Sequence, residues 1–207
     1  MDTEYRTHVS SMLLLRLVAI ICILHGCKDV GSVGPSPQTP EIVPLSLGNQ
    51  WILADTSYDM LGNLQEVSWS YYTVTRDTVL FGHRLFSYWG YCANTDSGLV
   101  IYQGYTISPL TKDTVAFYRL LYKYPASQGQ TYGPETIVGT TDTLVLVPAG
   151  AFHCINYRFY SAGHLSADHF VSPGLGLVKL VDYWQTSNPT DPLHVHVAAQ
   201  LKTCTLK

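Results

Sequence analysis

With 207 residues and a net charge of −3, the chain can bury one sizeable core but lacks the basic balance that nucleic-acid binding requires. Fifteen tyrosines and four tryptophans make it aromatic-rich, while beyond Glu4 the only glutamates are Glu41, Glu66 and Glu135. Thr, Val and Tyr are abundant instead, a composition that favours strands and leaves no convincing helix beyond the N-terminal segment.

The first element in chain order is a signal segment. Leu17 to Leu24 is an uncharged apolar run behind Arg6 and Arg16. A basic flank followed by a short apolar stretch marks a secretory signal, and the run falls short of the roughly 20 apolar residues that span a bilayer. Asp2 and Glu4 are unusual in such a signal, so Met12 is an alternative start. Leu24-His25-Gly26-Cys27 resembles a bacterial lipobox, with leucine three before the cysteine and a small residue just before it. His25 departs from that pattern.

The resemblance implies cleavage before Cys27 and acylation of its thiol and new amino group. A stable anchor takes more than one acyl chain, as a bacterial lipoprotein carries. It also implies a bacterial cell-envelope location, in the outer membrane and facing the periplasm or the surface, with the membrane as a partner through Cys27. Lys28-Asp29 is a partial match to a surface-export signal, which would carry more acidic residues; an ordinary polar tether is the alternative.

Residues 1–26 therefore read as signal and 27–45 as a tether beginning at lipidated Cys27, with Pro35, Pro37, Pro40 and Pro44 among its residues. At about 3.1 Å per residue the tether would hold the domain up to roughly 50 Å from the membrane.

Residues 46–207 read as a single β domain. Short alternating strands separated by turn signals are expected near 49–57, 65–77, 83–90, 98–105, 114–123, 136–147, 151–160, 167–172, 177–184 and 193–205. Gln128 to Pro134 and Ser187 to Pro192 read as loops, and Asn94 to Gly98 as a turn. In the last strand Leu193, Val195, Val197, Ala199 and Leu201 share one face, opposite His194, His196, Gln200 and Lys202. In the second, Val67, Trp69 and Tyr71 oppose Glu66, Ser68 and Ser70. One apolar and one polar face describe antiparallel sheet with one side toward water. The fold class expected is all-β, with about ten antiparallel strands in a curled sheet, an open barrel or a two-layer sandwich. Val147-Pro148-Ala149-Gly150-Ala151 is a hairpin signal with a three-residue loop, proline setting the first turn position and glycine the left-handed one.

Three stretches together resemble a family of uncharacterised bacterial lipoproteins and exported β-rich domains. Leu47-Gly-Asn-Gln-Trp51 is similar to its opening G-N-x-W strand. Val147-Pro-Ala-Gly-Ala-Phe-His-Cys154 is similar to its V-P-A-G-x-F-x-C hairpin, and Pro173-Gly-Leu-Gly-Leu-Val-Lys179 to its closing P-G-x-G-x-V-K. The likeness spans roughly residues 45–185 and brings no activity with it. It implies structural roles: Trp51 in the core, Gly150 in a turn, Gly174 and Gly176 at a bend.

No catalytic constellation stands out: there is no Gly-x-Ser-x-Gly elbow, and Pro173-Gly-Leu-Gly176 lacks the third glycine and the helix of a dinucleotide site. Asp168 and Asp182 are the carboxylates a glycosidase reading would use, without distinguishing context. His194 and His196 stand on one side of a strand, about 7 Å apart, and could ligate a metal with His153, His164 or His169 as a third; two solvated histidines are the plainer reading. Cys92, Cys154 and Cys204 admit at most one bridge among themselves, or none if they are buried thiols. Tyrosines and tryptophans cluster from Tyr71 to Tyr105, and Tyr88, Trp89 and Tyr102 are the candidate ligand contacts; core filling is the alternative. No cofactor is implied. The sequence supports a non-catalytic, lipid-anchored module that binds a protein, glycan or apolar ligand. The alternatives are a hydrolase of cell-surface polymers and a metal-binding protein.

Overall fold

The structure, a computed structural model, describes residues 41–184 and 192–207. The signal, Cys27 and the tether as far as residue 40 lie outside these residues, as does 185–191 of the last loop. The described residues form strands and no helix. They are β1 (Gln50–Tyr58), β2 (Leu64–Thr73), β3 (Asp77–Leu80), β4 (His83–Tyr88), β5 (Gly90–Thr95), β6 (Gly98–Ile107) and β7 (Thr114–Lys123). Then come β8 (Thr131–Tyr132), β9 (Thr136–Val147), β10 (Gly150–Ser161), β11 (His164–Ser172), β12 (Gly176–Tyr183) and β13 (Val195–Thr205).

Of the architectures left open, the two-layer sandwich is the one that forms. An eight-stranded sheet runs β2-β1-β13-β12-β11-β10-β9-β8, and the meander β3-β4-β5-β6-β7 makes a five-stranded second layer. The β1–β13 pair joins the two ends of the domain within one sheet. Where the chain leaves β2 for the second layer, the Val74 N–H donates to the Asn49 carbonyl at 2.9 Å and the Gly48 N–H to the Val74 carbonyl at 2.7 Å.

Three short strands, β3, β5 and β8, add to those expected. The β9–β10 hairpin forms as expected, but Gly150 pairs with Val147, so Pro148 and Ala149 alone make a two-residue loop. Gly150 sits at φ 138°, a conformation glycine takes at least cost.

The core lies between the layers, and two of the motif stretches meet there. Trp51 is fully buried, and its indole N–H donates to the Leu175 carbonyl at 2.6 Å. Gly176 makes the approach possible: a Cβ there would come within 3.3 Å of Val43 and 3.6 Å of the Trp51 indole nitrogen. Asn49 is equally buried; its amide donates to the Pro44 carbonyl at 2.7 Å and its oxygen accepts from the Lys207 N–H at 2.7 Å. Cys154, from the hairpin motif, lies in the same core.

Two expectations need correction. Ile42, Val43 and Leu45, read as the end of the tether, are core residues, because their apolar side chains join the inter-sheet core, Val43 lying against Gly176. In β2 the period of two is right but the faces are reversed. Trp51 pairs with Tyr72 and Leu53 with Ser70, so the serines and Tyr72 face inward. Val67, Trp69 and Tyr71 face out and are 58%, 47% and 63% exposed. The inward face turns polar beyond Leu53, where the Ser70 hydroxyl donates to the Asp55 carboxylate, so serine suits that side.

Candidate ligand-binding cleft

A cleft of about 260 Å³ opens between the two sheets. The five-stranded layer supplies Trp89, Ile101, Arg119 and Leu121, and the eight-stranded layer supplies Phe159, His169, Leu180 and Asp182. Alternation places them. In β12, Leu180 and Asp182 share a face; across the ladder His169 pairs with Leu180 and Ala167 with Asp182, and all four point the same way. Trp89 is the single residue between β4 and β5, where Tyr88 pairs with Gly90. Gly90 at φ 89° permits that tight reversal, which projects the indole into the cleft.

His169 is the central polar group and is only 7% exposed. Its Nδ1 is hydrogen-bonded to the Tyr122 hydroxyl at 2.9 Å. Its ring stacks on Trp89 at 5.6 Å and 21°, and meets Phe159 at 4.5 Å. Burial, with the Arg119 cation as a second cause, pushes the imidazole down to about 3. The ring is therefore neutral near pH 7, a hydrogen-bonding group rather than a charge.

Asp182 moves the other way: burial raises its carboxyl above the usual range, and His196 pulls it partly back. Arg119 is exposed at the mouth, and among the described residues neither it nor Asp182 has a salt-bridge partner. The cleft thus combines aromatic and aliphatic walls with one cation, one carboxyl and one neutral imidazole. That suits recognition of a small ligand with both apolar and polar parts.

Of the candidate ligand contacts, only Trp89 lines this cleft. Tyr88 is a core residue, edge-on to Trp51 at 4.8 Å. Tyr102 stands beside Tyr118 at 5.7 Å and Phe81 at 6.2 Å. Tyr118 helps line a separate hollow of about 140 Å³ with His83, Leu85 and Val100. Among the described residues no group of three His, Cys, Asp or Glu side chains converges as a metal site. His194 precedes β13, its carbonyl accepting from the Trp184 N–H at 2.9 Å, while the His196 ring packs on Trp184 at 4.0 Å. His153 pairs with Asp142 at 2.5 Å on the surface.

Asp168 and Asp182 cannot act as a facing pair. Asp168 pairs with Val181, one register position from Asp182, so their side chains leave opposite faces of the sheet. Asp168 is held on the outer face, accepting from the Asn156 amide at 3.0 Å and the Tyr183 hydroxyl at 3.0 Å. Cys92 and Cys154 are free and buried, and burial pushes their thiols up to about 11 and about 12. Such groups are inert rather than nucleophilic.

The sequence reading did not single out Arg119, Phe159 or Leu180 for a site, and it took His169 only as a possible third metal ligand. No family model matches the chain, and no curated protein matches it. Among solved structures, the crystal structure of a candidate lipoprotein from Parabacteroides distasonis is similar, with a TM-score of 0.42 and 15% identity. The match covers 81% of this chain and 100% of that one. Similarity at this level transfers neither fold nor role.

Proposed function

We propose that this chain is a lipid-anchored protein of the bacterial cell envelope, held in the outer membrane through Cys27, whose β domain binds a small ligand without transforming it. The anchor rests on the apolar signal and the lipobox-like Leu24 to Cys27. The ligand-binding role rests on one observation, the cleft between the sheets that gathers Trp89, Phe159, His169, Arg119 and Asp182. Apolar pockets with a few placed polar groups are where small ligands bind. A glycosidase reading built on Asp168 and Asp182 loses its geometry, because the two carboxylates lie on opposite faces.

Thermal unfolding in the presence of glycans, fatty acids, divalent metals and short peptides tests the role. A ligand that binds only the folded state raises the midpoint. One class is expected to raise it, and Ile101→Trp, which fills the cleft from its wall, is expected to remove the rise while keeping a cooperative transition. No rise with any class would overturn the small-ligand reading and leave a protein partner as the alternative. Incorporation of labelled fatty acid, lost in Cys27→Ala, is the expected signature of the anchor; equal labelling of the two proteins would contradict it.

A further inference from the structure

The cleft's two charges come from different layers. Arg119 acts electrostatically on His169, whereas the neighbour that acts on Asp182 is His196. Arg119 and Asp182 line the same cleft on opposite layers, yet they form no ion pair with each other. The same cleft is lined by Trp89, Phe159, Ile101, Leu121 and Leu180, none of which carries a charge. A cation and a carboxyl from facing layers, in a cleft with apolar walls, match a ligand with the opposite arrangement. Its anion would meet Arg119, its donor or cation would meet Asp182, and its body would be apolar.

Size narrows the choice. The cleft, at about 260 Å³, lies just under the range of about 300–1,000 Å³ common for ligand pockets, so the occupant is small. A fatty acid would satisfy Arg119 and leave Asp182 facing hydrocarbon. A neutral sugar would leave both charges unmatched. A free amino acid carries both charged groups on one carbon, too close together to reach two layers packed about 10 Å apart.

We propose that the cleft takes a short peptide with free amino and carboxyl ends, of dipeptide size and with an apolar side chain. The carboxylate is received by Arg119 at the mouth, the ammonium by Asp182, and the side chain by Trp89 and Phe159. Neutral His169 adds a hydrogen bond without repelling the ammonium. This deepens the ligand-binding reading above and rests on it.

Calorimetric titration with alanyl-phenylalanine, its N-acetyl form and its C-terminal amide tests the proposal. The free dipeptide should bind, and blocking either end should weaken binding by about tenfold or more, the usual worth of a lost charge-assisted contact. Arg119→Gln should bind the acid and the amide alike while still rejecting the acetylated form. Asp182→Asn should do the reverse. Each variant thus carries its own positive control for folding. Equal binding of free and blocked forms to the wild type, or no binding of any of the three, overturns the peptide proposal. If a glycan or fatty acid then raises the midpoint of the wild type but not of Ile101→Trp, the cleft remains a binding site with a different occupant. If nothing binds, both readings fall together.

Discussion

The two parts of the inter-sheet space, around Trp51 and around His169, are built from the same two sheets by the same alternation but differ in how polar atoms are treated. Around Trp51 the space is filled. The indole N–H meets the Leu175 carbonyl at 2.6 Å, Tyr88 packs edge-on at 4.8 Å, and Val43 sits against Gly176. Around His169 the aromatic packing continues through Trp89 and Phe159, but a void remains, lined by a cation and a carboxyl. A core built only for stability would have filled that void, since an unfilled volume forfeits contacts. The contrast separates scaffold from site within one sandwich.

Substitutions can break each side separately. The largest effect is expected for Trp51→Ala, which empties the filled end and orphans the Leu175 carbonyl; a loss of about 3–5 kcal/mol in denaturant unfolding is expected. Gly98→Ala should also be severe. A Cβ there would lie 2.0 Å from the Tyr122 carbonyl oxygen, at φ +123°, so β6 would have to move off β7. Its midpoint should fall by several degrees, a shift that about 1–3 kcal/mol of strain produces.

The cleft end should show itself through pH. His169 is held neutral down to about 3 when folded, against an ordinary histidine value of 6.5. The unfolded chain therefore takes up a proton that the folded one refuses. Stability from this group is fully present above pH 6.5 and is lost as pH falls toward 3, by at most about 1.4 kcal/mol per pH unit. A His169→Gln variant should show a flatter decline between pH 6.5 and pH 4 in thermal unfolding; an unchanged slope would mean His169 is not the group responsible.

The smallest effect is expected outside both ends. Leu146→Ser on the outer face of β9 should change stability by no more than about 1 kcal/mol, because the residue is 73% exposed. A loss comparable to that of Trp51→Ala would show that the outer face is covered in solution.

Much of the scaffold was legible in the sequence. Strands at 114–123 and 136–147 match β7 and β9 residue for residue, because clear alternation ran between strong turn signals. β3 and β8 were not, because four and two residues show too little of a period, and β5 was not, because its last two residues were read into the Asn94–Gly98 turn. The reversed faces of β2 show a second limit. Period two says which residues share a face, but which face is buried depends on the neighbour, here Trp51 and Leu53 of β1. The cleft was the least legible part. Its residues come from the β4–β5 turn and from β6, β7, β10, β11 and β12, and only the stacking of two layers unites them. Trp89 could be suspected from its aromatic neighbours, but Arg119 carried no such signal.

The four tryptophans give the most direct measurement, since Trp51 and Trp89 stand in the filled end and the cleft, and Trp69 and Trp184 stand elsewhere. Each indole N–H would be assigned by single substitution in a heteronuclear spectrum and followed while alanyl-phenylalanine and the wider ligand panel are titrated. The expected result is a saturable shift of the Trp89 resonance with Trp51 and Trp69 unmoved. A stationary Trp89 signal alongside a moving Trp69 or Trp184 signal would contradict the assignment of the cleft as the binding site.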